Sequence, residues 1–168
     1  MNTNTFTALT FGALMSLTLN AAHADSIQRI SPPGSTFPIS QLVTVPASAQ
    51  LTFVSGTLPD VADPKAPKGS IQAYGNTETQ TFSVLTKLRS ALQSQGLDLG
   101  DIVQLRVFLV GDPDKGGTLD FAGLQAAYTK FFATAEQPNK PTRTALQVVA
   151  LPLPGALVEI EAIAAKAP

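Results

Sequence analysis

The chain has 168 residues, which leaves room for one compact domain with a full core once a leader of about 24 is set aside. With 11 Lys and Arg against 12 Asp and Glu, the formal net charge of -1 offers no basic field to draw nucleic acid or an anionic membrane surface. A hydrophobic content of 44% with 13 Pro and 12 Gly excludes wholesale disorder and predicts turn-rich connections.

The first predicted element is a leader. An apolar run from Phe6 to Leu19 is followed by the small-x-small triplet Ala22-His23-Ala24. The run is shorter than the roughly 20 residues that a spanning helix needs. These features predict a signal peptide over 1–24, cleavage after Ala24, a mature domain over 25–168 and export to the periplasm, with no membrane attachment after cleavage. No Lys or Arg precedes the run, so only the α-amino group supplies the positive end. Without the leader the chain holds no His, Met, Cys or Trp. Imidazole- and thiolate-based metal, haem and iron–sulfur sites are therefore excluded, as are Ser-His-Asp and Cys-His catalytic groups and any disulfide framework.

Three extended stretches come next, at 27–30, 41–45 and 50–55, broken by Pro32-Pro33-Gly34 and Pro46-Ala47-Ser48, and the early strands are expected to pair as a hairpin. Residues 59–75 carry turn chemistry without periodicity and read as a long surface loop. Thr77 with Gln80 suggests a capping box, Phe82, Leu85, Leu88 and Leu92 recur on one side, and Gly96 supplies a stop. A helix is predicted over 78–95.

Residues 102–110 alternate with Val103, Leu105, Val107 and Leu109 on one face, the pattern of a central strand. A Gly- and Asp-rich turn over 111–117 leads to Thr118 as the expected N-cap of a second helix over 119–133, in which Leu124, Tyr128 and Phe131 fall at helical spacing. Strands over 142–150 and 157–165 flank Leu153-Pro154-Gly155-Ala156, a type II turn sequence, and predict a terminal hairpin. The element order gives an α+β domain in which two helices pack on one mostly antiparallel sheet.

Arg143 opens a half-buried strand, where a guanidinium requires an anionic partner. That partner is either a structural glutamate, with Glu159 and Glu161 the nearest choices, or a small carboxylate held bidentately. Glu159 and Glu161 are two apart on a strand and share a face, so beside a cleft one of them becomes a candidate general base. The segment 112–120 has the outline of a calcium loop, but Gly116 and Gly123 stand where ligands belong.

The tail Pro141-Thr142-Arg143-Thr144-Ala145-Leu146-Gln147-Val148, Leu151-Pro152 and Val158-Glu159-Ile160-Glu161-Ala162-Ile163-Ala164 resembles the signature region of the RidA/YjgF family of enamine and imine deaminases. Tyr128-Thr129-Lys130-Phe131-Phe132, Gly100-Asp101-Ile102-Val103 and Val54-Ser55-Gly56 extend the likeness over nearly all of the mature chain. The resemblance implies a chorismate-mutase-like fold, a homotrimer with sites between subunits, and cofactor-free hydrolysis of 2-imino acids such as 2-iminobutanoate or 2-iminopropanoate to 2-keto acids and ammonia. It also implies that Arg143 grips the substrate carboxylate, that Glu159 orients or activates water, and that Ser55, Gly56, Gln125 and Ala145 bind substrate. Two positions depart from the pattern: Ile39 stands where many active members have tyrosine, and Gln125 where asparagine is common. A non-catalytic trimeric binder of small carboxylates, or a chaperone-like protein, is the alternative expectation.

Overall fold

A computed structural model describes residues 26–168, so the leader expectation falls on residues outside the description. The alternating residues of 102–110 form β4 (Ile102–Val110), with the predicted bounds and with Leu105, Val107 and Leu109 buried. Around it lies a four-stranded mixed sheet in the order β3-β6-β4-β5, built from β3 (Gln50–Thr57), β5 (Thr142–Val148) and β6 (Val158–Lys166). β6 pairs antiparallel with both β3 and β4, while β5 runs parallel to β4 at the sheet edge. β1 (Gln28–Ile30) and β2 (Leu42–Thr44) pair antiparallel in a separate small sheet, so the expected early hairpin forms without β3.

The predicted terminal hairpin is not there. Leu153 to Ala156 do form the turn, with Ala156 N–H donating to Leu153 O at 3.1 Å and Gly155 at φ 82°. β5 and β6 nevertheless lie on opposite edges of β4, because both edges of β6 are already taken by β3 and β4. Turn chemistry is local, whereas the pairing partner is chosen by burial of the apolar run on β4.

Both long helices cover one face of the sheet. In α2 (Thr77–Gln93) Leu85, Leu88 and Leu92 are buried as expected, whereas Phe82 stays half-exposed and tilts against Phe131 with ring centroids 5.1 Å apart. The N-cap is Asn76, whose side chain accepts from Thr79 N–H at 2.9 Å, and not Thr77. Gln80 is not part of a capping box. Fully buried, it donates to Gly75 O and Gly155 O and accepts from Leu157 N–H, tying the helix start to the turn before β6. The 59–75 segment is likewise less free than its composition suggests. It ends in one helical turn, α1 (Ile71–Tyr74), capped by Ser70, with Ala73 and Tyr74 buried.

α3 (Phe121–Tyr128) is shorter than predicted, and its N-cap is Asp120, which accepts from Gly123 N–H at 3.0 Å. Asp112 caps its own turn by accepting from Asp114 N–H at 2.9 Å, so these two carboxylates of the calcium-like segment are engaged in local structure. Past Tyr128 the backbone leaves the helix and reaches left-handed φ 58° at Ala133, while Phe131 and Phe132 remain buried.

Candidate functional site

Arg143 is opposite Leu105 in the β4–β5 ladder, so its side chain shares the helix-covered face with Leu105, Ala145 and Gln147. There it meets α3, on which Phe121, Gln125 and Tyr128 recur at i, i+4 and i+7 and form one stripe. The guanidinium carbon lies 4.3 Å from the Tyr128 ring centroid and 5.6 Å from that of Phe121. Cation–π contact with two rings stabilises the charge without an anionic partner.

The polar edge of this guanidinium is left unsatisfied. Among the described residues Arg143 makes no ion pair, and its buried Nη1 has no hydrogen-bond partner. Two more atoms on the neighbouring stripe are buried and unpartnered: Gln125 Oε1 and the Tyr128 hydroxyl. Each such group, left unpaired, costs about 1–3 kcal/mol, and these three gather beside one guanidinium. Burial lowers the Arg143 pKa, and Tyr128 opposes that shift. Burial also pushes the Tyr128 phenol well above its ordinary value, against the pull of Arg143 and Arg29, so it stays a neutral O–H at physiological pH.

Arg29 acts on the same tyrosine, but its guanidinium is tied to backbone carbonyls. Its Nη1 donates to Ile102 O at 2.9 Å and Lys140 O at 3.0 Å, and its Nη2 to Gly100 O at 2.9 Å. Ser40 fastens the following segment, with N–H donating to Pro141 O at 2.9 Å and Oγ to Lys140 O at 2.7 Å. Together they fix the backbone that leads into Arg143. Ile39, one residue earlier, is half-buried against the core and lines a cavity of about 260 Å³ with Phe37 and Pro32. A cavity of about 440 Å³ between Arg89, Asp98, Glu136 and Asn139 lies apart from Arg143.

Glu159 lies on the other side of the sheet. It is opposite Phe108, and Glu161 is opposite Arg106, on the face away from the helices. Glu161 is paired there with Arg106 at 2.5 Å, so neither glutamate neutralises Arg143. At Ser55 and Gly56 the register of β3 against β6 slips by one, a bulge in which these two residues stand against Glu161. The Glu159 carboxylate folds over Gly56, where an added Cβ would overlap its Oε1 and lie 2.9 Å from its Cδ. Among the described residues the Glu159 side chain makes no hydrogen bond and no ion pair.

The expected site residues therefore divide into two groups. Arg143, Ala145 and Gln125 gather on the helix face, and Glu159, Ser55 and Gly56 gather on the open face. Arg143 and Glu159 are two strands apart, about 10 Å sideways, and three rows apart, about 10 Å lengthwise, on opposite faces. One small molecule cannot touch both within a single chain. By its spacing Tyr128 reads as a core residue, and no sequence motif singles out Phe121 or Arg29. The i, i+4, i+7 stripe that joins Phe121 and Tyr128 to Gln125 was the available signal.

Comparison with known proteins agrees with this fold. The family model described as Endoribonuclease L-PSP matches residues 30–166. The RutC family protein PH0854 of Pyrococcus horikoshii is 33% identical over 129 residues, 77% of this chain and 87% of that protein. A crystal structure of the Rid family protein YyfB from Yersinia pestis superposes with a TM-score of 0.61 at 24% identity, covering 83% of this chain and 98% of that one. The structure of Escherichia coli TdcF with bound serine gives a TM-score of 0.53 at 28% identity, with the same 83% and 98% coverage. With a family model spanning nearly all of the described residues and Rid and YjgF proteins as structural neighbours, the chain belongs to the RidA/YjgF family.

Proposed function

We propose that this protein hydrolyses 2-imino acids and their enamine tautomers to 2-keto acids and ammonia, in a site that joins the Arg143 half of one subunit to the Glu159 half of another. The observation that carries this reading is the free, buried edge of Arg143, which is shaped for a carboxylate and is not neutralised by any glutamate of its own chain. Serine bound to TdcF, a relative with the same fold, supports an amino-acid-like ligand.

The chemistry asks little of the protein. An iminium carbon is already electrophilic, so catalysis reduces to placement, a polarised water and a route for protons. Arg143 fixes the carboxylate next to the reacting carbon. Glu159 takes a proton from water as the new C–O bond forms. It then returns that proton to nitrogen, and as the C–N bond breaks and ammonia leaves, it takes the proton of the new hydroxyl so that the C=O of the keto acid forms. An unpaired carboxylate resting over a glycine is free to serve in both directions.

Assembly follows from the same surfaces. The open face carries Phe53 at 71% exposure, Leu51 at 47% and Leu146 at 38%, an apolar surface that favours cover by further copies of the chain. RidA/YjgF proteins are typically homotrimers, and a trimer is the assembly proposed here. We also propose that residues 25–168 act after export, on imines made by a local amino-acid oxidase or dehydrogenase.

The test is the rate of keto-acid release from imine generated by an amino-acid oxidase. Wild type is expected to accelerate it, and Glu159→Gln to lower turnover by about 100-fold or more while 2-oxobutanoate still binds. Binding without any wild-type acceleration would make the protein a carboxylate binder and not a deaminase.

A further inference from the structure

Tyr128 stands out because the fold uses its ring and leaves its hydroxyl without a partner. The ring lies under the Arg143 guanidinium at 4.3 Å and stacks on Phe132 with centroids 4.6 Å apart at 21°. A glutamate in this place would occupy the hydrogen-bonding edge of the arginine, whereas an aromatic face holds the cation and leaves that edge open. The hydroxyl is fully buried and unpartnered, and the hydrogen bonds of the Arg29 guanidinium go to Ile102, Lys140 and Gly100, none to Tyr128. The charged groups acting on this corner are Arg143 and Arg29, with Asp101 as the acid facing Arg29. The balance is one uncompensated positive charge beside a neutral O–H donor.

We propose that Tyr128 is a ligand-binding residue of this site, whose ring carries Arg143 and whose hydroxyl donates a second hydrogen bond to the bound carboxylate. This rests on the reading of Arg143 as a carboxylate anchor and adds a contact that the family resemblance did not supply. The buried Gln125 Oε1 on the same stripe requires a donor, which the nitrogen of an amino- or imino-acid offers and a keto acid does not. The corner is thus matched to a ligand with a carboxylate on one side and an N–H on the other.

The experiment is calorimetric titration of the full oligomeric protein with sodium 2-oxobutanoate, alongside thermal melting, for wild type, Tyr128→Phe and Tyr128→Leu. In Tyr128→Phe the ring stays and a buried, unpartnered hydroxyl is removed, so the melting temperature is expected to hold or rise. The Kd is expected to weaken by about 10-fold, the worth of one hydrogen bond to a charged group. Tyr128→Leu removes the shelf as well and is expected to weaken binding further. A Tyr128→Phe protein that binds 2-oxobutanoate as tightly as wild type overturns the proposal, whatever its stability. Wild-type imine turnover with an unchanged Tyr128→Phe Kd sinks this inference alone. A Tyr128-dependent Kd without turnover sinks the deaminase reading alone, and a wild type that binds no 2-oxobutanoate removes both.

Discussion

Arg29 and Arg143 make an instructive pair, since both are half-buried guanidiniums flanking one tyrosine, and both have their pKa lowered by burial. Arg29 directs its N–H groups at three backbone carbonyls and joins the β1–β2 sheet to the start of β4 and the residues before β4 and β5. Arg143 has two aromatic rings within cation–π distance and a buried nitrogen with no partner. The first arrangement is complete without a ligand, and the second is not. Satisfaction of the hydrogen-bonding edge, more than burial or charge, separates the two, and it is the ground for the proposal that Arg143 binds a ligand.

Substitution tests that contrast directly. Arg143→Ala is expected to cost about 2–5 kcal/mol of transition-state binding, read as kcat/KM for imine hydrolysis, with little loss in melting temperature. Arg29→Ala is expected to reverse the pattern. Leaving carbonyls of Gly100, Ile102 and Lys140 without their charged donor should lower stability by about 2–4 kcal/mol in urea unfolding. If the two variants lose stability equally and activity equally, the contrast fails.

A smaller effect concerns the tyrosine between them. Its phenol ionises near 10.0 when unfolded and higher when folded, so the folded chain holds the proton more tightly. The stabilisation is fully present below pH 10 and is lost as pH rises through and beyond that value. The expected slope from this residue is about 1.4 kcal/mol per pH unit above pH 10. Urea midpoints measured from pH 9 to 11 should fall more steeply for wild type than for Tyr128→Phe, and parallel curves would show that the phenol ionises alike in both states.

Much of this organisation could be read from residues whose signals are local. The alternation of 102–110 marks β4, and Gly96 stands past the end of α2 at φ 70°. What escaped were choices made at long range. Gln80 looked like a capping residue until the turn before β6 claimed its amide, and the Pro154-Gly155 turn gave no hint that β4 would stand between β5 and β6. The division of Arg143 and Glu159 between two faces depends on register across three strands, and no spacing along the chain encodes it. Tyr128 was hidden for a different reason: its spacing marks a core face, and a core face is where it lies.

The most direct measurement is complementation between two inactive proteins. Arg143→Ala and Glu159→Gln chains are unfolded together, refolded as mixed assemblies and assayed for imine hydrolysis against each variant alone. A site shared between subunits rebuilds an intact Arg143 and Glu159 pair at about one interface in four, so about a quarter of wild-type activity should return. Mixed assemblies no more active than their parents, with subunit exchange verified by mass spectrometry, would contradict a site built from two chains.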